Sequence, residues 1–438
     1  MTHALPERLS DKQPSWPPVS ILLLLVASVF LPSGLLTGMN AYLLLLAAIA
    51  WFYSSTKFDS QLLRAIAPFL LIIASGLCLG IYADTYLYLK DAWYVANPAI
   101  ILCTGSVFYR CRPQLASGLR AFVLGGTLVA GFYLSAFVVQ PELITQSSVK
   151  IRETIGTGFY APALALTLLL AYFTQSRDGL LLPVWLARTC LLLCALACAL
   201  CFSRTMLLVV GIGIAAVWGF FSRNEWGRLL AIATVGLASL SLLGLAVDTG
   251  SREVQHSFMG KLSRSISEIT VEEYTDFKSI NENWRGYETA RALKLYYAGN
   301  PLQWLLGYGF GQQVDLGLAM PLGAAGDEGS VKRYIPILHN GYAYLLVKGG
   351  AVAVLLFLSS LLFLYRVGRR AAHDASSDMT HRNRAAAARV LQSVAATLAA
   401  TTWLVSGAFN KLDMFPFLLA AGFILAALTH TAPQRHPT

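Results

Sequence analysis

Apolar runs of about 17 to 25 residues recur along nearly the whole chain, separated by short charged connectors. A helix needs that length to cross about 30 Å of hydrocarbon, where every backbone polar group must be satisfied within the segment. The runs fall near residues 20–36, 40–53, 65–82, 92–108, 119–139, 158–173, 181–202, 204–221, 229–247, 337–365, 386–409 and 413–430 of 438. They predict an all-α polytopic membrane protein with about twelve transmembrane helices and both termini on one side. Composition agrees, because only 13% of residues are charged, against about 25% in a soluble domain. The first run follows Arg8 and Lys12 and no small-residue cleavage site closes it, so it reads as a retained anchor.

Orientation follows from the placement of Lys and Arg in short loops. With a cytoplasmic N-terminus, 18 of them face the cytoplasm, including Arg64, Arg110, Arg188, Arg228 and the run from Arg366 to Arg389. Only five face outward: Lys90, Lys150, Arg152, Arg204 and Lys411. The net charge of +10 therefore serves topology, and no nucleic-acid role is expected. The chain divides into spans 1–247, an external loop 248–336, spans 337–430 and a cytoplasmic tail 431–438.

Within the external loop, Arg252–Ile269 and Trp284–Ala298 read as helices, the second stopped by Gly299-Asn300-Pro301. Trp284, Tyr287, Leu293, Tyr296 and Tyr297 suit a membrane interface. Gly307-Tyr308-Gly309-Phe310-Gly311 follows no evident strand, so it reads as a tight turn beside the membrane rather than a phosphate cradle. Four of the seven cysteines, Cys190, Cys194, Cys198 and Cys201, share one apolar run, where thiols pack as small residues. The loop has no cysteine, and its acidic pairs Glu272-Glu273 and Asp327-Glu328 lack a spaced D-x-D pattern. Neither a disulfide staple, a metal nor any other cofactor is expected.

Cations at the external ends of spans run against the topology rule and need anionic partners. Arg204 sits in the tight Ser203-Arg204-Thr205 hairpin, Arg285 in the loop helix, and Arg152 ahead of Gly156-Thr157-Gly158. Protein carboxylates are one partner: Glu153 beside Arg152, or Glu288 at i+3 from Arg285. A bound phosphate or diphosphate is the other, suited to planar bidentate guanidinium donors. His339-Asn340-Gly341 opens the tenth span after Pro336. Lys348, nine residues on, falls on the opposite helix face and about 13 Å deeper, so a structural or snorkelling role is expected for it.

These residues together resemble the O-antigen ligase and polymerase superfamily of bacterial envelope membrane proteins. Ser203-Arg204 begins a span; Arg285, Asn300-Pro301 and Leu306-Gly307-Tyr308-Gly309 lie in a large external loop; His339-Asn340-Gly341-Tyr342 leads to Gly349-Gly350. Arg152, Gly156 and Pro162 match more loosely, with Ala161 where relatives often carry Asn and Lys348 where they often carry an acid. The resemblance covers roughly the second half of the chain. It implies a GT-C-like membrane glycosyltransferase of the bacterial inner membrane, working at the periplasmic face. The donor would be a glycan on undecaprenyl diphosphate, and the acceptor, for a ligase, the lipid A core. Arg204, Arg285 and Arg152 would hold the diphosphate, and His339 would take the acceptor proton in an inverting displacement. A polysaccharide polymerase or protein O-oligosaccharyltransferase would share the donor. A polyprenyl-glycan transporter is the rival of another class, but no inverted repeat is evident and the cations collect at the external edge.

Overall fold

The computed structural model describes residues 16–30, 42–45, 48, 59–81, 83–146, 151, 154–155, 160–175, 182–201, 203–221, 280, 283–321, 331–374, 379–409 and 414–430. Among them the chain is built almost wholly from helices: α1 (Trp16–Phe30), α2 (Ser60–Leu79), α3 (Thr85–Cys111), α4 (Leu115–Val139), α5 (Ala161–Gln175), α6 (Val184–Leu200) and α7 (Arg204–Val217). There follow α8 (Trp284–Tyr297), the short α9 (Pro301–Leu306), strands β1 (Val314–Pro321) and β2 (Val331–Ile335), then α10 (Gly341–His373), α11 (Met379–Val405) and α12 (Phe415–His430). Ten of the twelve expected spans thus fall on helices. The runs near 40–53 and 229–247, like the helix expected at Arg252–Ile269, lie largely or wholly outside the described residues.

Helices α2, α4 and α10 are long and apolar enough to cross a membrane, and five shorter described helices are apolar. Helices α3 and α11 carry charged and polar residues as well, many of them turned inward: Asp91, Asn97 and Thr104 on α3 and Gln392, Ser393, Thr397, Thr401 and Thr402 on α11 are all buried. Polar side chains in such a setting face the bundle interior: Asp91, Thr104, Thr401 and Thr402 are hydrogen-bonded there, whereas the hydroxyls of Ser393 and Thr397 meet no hydrogen-bond partner among the described residues. Helix α12 is apolar on every side and buried from Phe415 to Leu428, as a central helix must be. It crosses α3 at glycines: a Cβ on Gly105 would lie 2.1 Å from the Leu419 carbonyl oxygen, and one on Gly422 2.0 Å from that of Leu102. Small residues permit this approach of two backbones.

The two ends of the bundle are chemically distinct. At one, Arg110 pairs with Asp59 at 3.0 Å, Arg389 donates to the Val217 carbonyl, Arg384 to that of Leu428, and Tyr365 to that of Phe221. At the other lie the C-terminus of α2, the start of α3, the loop elements α8, α9, β1 and β2, and the start of α10.

Helix α10 is broken at Gly350, where φ is +66°. A break at membrane depth is tolerated only if the freed backbone groups find partners. Here the glycine-rich turn supplies them. Tyr308 and Gly309 donate their backbone N–H to the Val347 and Lys348 carbonyls at 2.8 and 3.0 Å, and the Phe310 N–H goes to the Gly76 carbonyl at 3.0 Å. The turn expected beside the membrane is therefore wedged between α2 and α10, with Gly307, Gly309 and Gly311 all at positive φ. The antiparallel β1–β2 pair was not foreseen. Its cross-strand pair Arg333–Asp315 and the Gly317 N–H hold the Asp315 carboxyl down at about 2.

Candidate functional site

Helix α8 forms where expected, and its C-terminal stop passes into α9, which Asn300 and Gln303 open with a reciprocal capping box. Helix α8 is fixed on several sides. Tyr287 donates to the Leu316 carbonyl, Arg291 Nε to the Asp315 carbonyl at 2.8 Å, and Tyr308 to the Leu295 carbonyl at 2.8 Å. Of the aromatic set expected at an interface, Tyr297 is exposed while Tyr287 is buried.

This fixation delivers Glu288, only 3% exposed, to His339. One carboxylate oxygen, Oε2, lies 2.8 Å from His339 Nδ1 and 3.2 Å from the His339 backbone N. On its other side the His339 carbonyl accepts from the Ser406 N–H and hydroxyl, and the Leu338 carbonyl accepts from the same hydroxyl. Ser406 adopts a φ of +62° in doing so, the only described non-glycine residue with positive φ. The cap of α10 belongs to Asn340, whose side chain accepts from the Tyr342 and Ala343 N–H groups at 3.0 and 3.1 Å. The His339 ring is therefore free of capping duty. Its side chain is half exposed while the Glu288 side chain is 4% exposed.

That geometry selects a tautomer. An ionised carboxylate can only accept, so in the neutral imidazole Nδ1 carries the proton and the lone pair of Nε2 faces away from Glu288. Glu288 had entered the sequence reading only as a neighbour of Arg285; its contact with the imidazole spans 51 residues. No local spacing rule could announce that pairing.

Arg285 lies on α8 one turn before Glu288 and is partly exposed, so the helix that orients His339 also carries a guanidinium. Arg204 is the first residue of α7, behind an N-cap in which Ser203 Oγ accepts the Met206 N–H. Helix α7 packs along α5 and α11. Its other end, Val217, meets Arg389 of α11, the helix that leads on to Ser406. Arg152 lies outside the described residues, as do the acidic pairs of the loop. Among the described residues no three His, Cys, Asp or Glu side chains gather as a metal site.

Lys348 does what its depth suggested. Its ammonium meets Asp91 Oδ2 at 2.5 Å and the Gln312 carbonyl, while Asp91 also accepts from Tyr344 OH at 3.0 Å and the Gly311 N–H at 2.7 Å. Lys348 and Asp91 are 2% and 0% exposed. One buried pair thus ties α3, the glycine-rich turn and the first half of α10 together. Asp91 escaped notice in the sequence, though an acid at the start of one apolar run and a base inside another are a signal that each needs a partner.

Residues 189–358 match the family model described as O-antigen ligase. The matched stretch contains Arg204, Arg285, Glu288 and His339 but not Arg152. No curated protein matches the chain.

Proposed function

With the match over residues 189–358 supporting membership of the O-antigen ligase family, we propose that this protein transfers a glycan from undecaprenyl diphosphate to the lipid A core at the periplasmic face of the inner membrane. The observation that carries the reading is the His339–Glu288 pair. In this reaction His339 Nε2 takes the proton of an acceptor hydroxyl as that oxygen attacks the anomeric carbon. The bond from that carbon to the diphosphate oxygen breaks, and undecaprenyl diphosphate leaves with the electron pair. Glu288 keeps the ring in the required tautomer and stabilises the imidazolium that forms. Arg285, Arg204 and Arg152 hold the diphosphate as its charge develops, the polyprenyl tail lies among twelve spans of GT-C-like arrangement, and a single displacement inverts the anomeric centre.

The test is transfer by purified protein in vesicles, from labelled lipid-linked donor to lipid A core or to a second donor molecule. His339→Ala should lose about 10² to 10⁴ in rate, the usual contribution of a general base. Arg204→Ala and Arg285→Ala should lose about 10- to 150-fold, since a contact to a desolvated anion is worth about 1.5–3 kcal/mol. Lys at either position should restore only part. Full activity in His339→Ala removes it from the chemistry, and transfer to the second donor alone makes the protein a polymerase.

A further inference from the structure

A cavity of about 510 Å³ opens at the same end of the bundle as His339, and among the described residues neither Arg204, Arg285, Glu288 nor His339 lines it. Its walls include Gly80 at the end of α2, Tyr308, Gln312 and Gln313 of the glycine-rich turn, and Tyr334 of β2. From these residues, resting on the function proposed above, we infer that this cavity is a saccharide-binding subsite of the transferase, separate from the diphosphate site.

Its chemistry excludes the leaving group and suits a sugar. Among the described residues no Lys, Arg, His, Asp or Glu lines it, so these walls offer neither a counter-charge for phosphate nor a partner for an ammonium. What it offers is two tyrosine rings, two carboxamides and loop backbone. Flat rings receive the C–H faces of a pyranose, and amides both donate to and accept from hydroxyls. A pocket that combines apolar walls with a few convergent polar groups is the ordinary form of a small-ligand site.

The walls are held rigid, which lowers the entropy cost of binding. Tyr308 is anchored by its hydroxyl on the Leu295 carbonyl, and the Arg333 guanidinium lies over the Tyr334 ring, 5.7 Å from its centroid, while also paired to Asp315. The Gln312 carboxamide donates to the Gln313 carbonyl at 2.8 Å. Beneath them, Lys348 grips the Gln312 carbonyl and Asp91 the Gly311 N–H. The buried Asp91–Lys348 pair thereby acquires a purpose, since it fixes the cavity floor.

Distance to the reacting centre is also suitable. Four residues lie between Tyr334 and His339, so their Cα atoms, five steps apart, are at most about 18 Å from each other. A glycan chain engaged at His339 can extend into the cavity. Donor and acceptor are both saccharides, and the shared chemistry does not choose between them.

The experiment uses full-length protein in vesicles, with Tyr334→Ala, Gln313→Ala and the double variant. KM is measured separately for donor and for acceptor. In parallel, saturation-transfer NMR records binding of two free probes: core oligosaccharide released from lipid A by mild acid, and a soluble oligosaccharide of the donor repeat. The double variant should raise KM for one glycan about tenfold, which is about 1.4 kcal/mol. It should leave kcat and the other KM within twofold, and weaken binding of the matching free probe. A raised acceptor KM assigns the cavity to the acceptor, and a raised donor KM to the donor glycan. Unchanged KM for both, with unchanged probe binding, overturns the inference while leaving the transferase reading intact. Should wild-type protein transfer nothing, the probes still decide: loss of binding in a variant that melts with wild type supports the subsite, and equal binding refutes it.

Discussion

Replacing Glu288 with Gln isolates what the carboxylate does for His339. Gln keeps the shape and an acceptor oxygen within reach of Nδ1 and of the His339 N–H, now at 2.8 and 3.2 Å, but removes the charge. A hydrogen bond to a charged group is worth about 1.5–3 kcal/mol and a neutral one about 0.5–1.5 kcal/mol. The difference of about 1–2 kcal/mol bears on the imidazolium formed during transfer, so kcat should fall about 5- to 30-fold at 1.36 kcal/mol per decade. Donor KM should stay within twofold, because Glu288 faces the imidazole. The assay is steady-state transfer with purified protein across pH 5 to 8. A double-mutant cycle completes the case: in a His339→Ala background, Glu288→Gln should cost nothing further, since both residues act through one proton transfer. A kcat within twofold of wild type in Glu288→Gln, or a full additional loss in the double variant, refutes the positioning role.

Gly350→Ala should destabilise the protein by about 1–3 kcal/mol, because φ is +66° and the added Cβ would lie 2.3 Å from the Leu305 carbonyl; thermal unfolding in detergent measures it. Asp91→Asn and Lys348→Met should each cost about 3–5 kcal/mol by stranding a buried charge, and the double variant less than the sum. Loss of transfer in Lys348→Met with stability and donor binding intact would instead give that residue a part in the chemistry. The Asp315 carboxyl is depressed to about 2 by Arg333 and the Gly317 N–H, so its contribution to the hairpin is present above about pH 4 and lost as pH falls toward 2. Hydrogen exchange of β1 and β2 should show protection declining over that window, and Asp315→Asn should abolish the dependence. Cysteines introduced between Asp248 and Pro336 should react with an impermeant thiol reagent from the periplasm, and one at Ser376 should not; the reverse pattern would invert the topology.

What could be read from the chain was local or periodic. Apolar runs placed ten helices, and the Gly299-Asn300-Pro301 stop ended α8 within a residue of its observed limit. Pairings across long stretches of chain were invisible, because helical periodicity says which face a residue occupies but not which helix faces it. Glu288 illustrates this, since the i+3 rule pointed to Arg285 while its carboxylate serves a histidine 51 residues on. Asp91 meets Lys348 across 257 residues. The hairpin escaped for another reason: β1 contains Gly317 and ends in Pro321, both poor strand formers.

The wedged turn also bears on how this protein can be re-engineered. The carbonyls of Val347 and Lys348 belong to one element, and the N–H groups that satisfy them, from Tyr308 and Gly309, belong to another. Exchanging the external loop alone with that of a relative would leave a helix interrupted in hydrocarbon without its complement, and exchanging α10 alone would orphan the turn. Chimeras meant to redirect glycan choice should therefore carry residues 301–350 as one cassette, with Asp91 retained on the host side to receive Lys348.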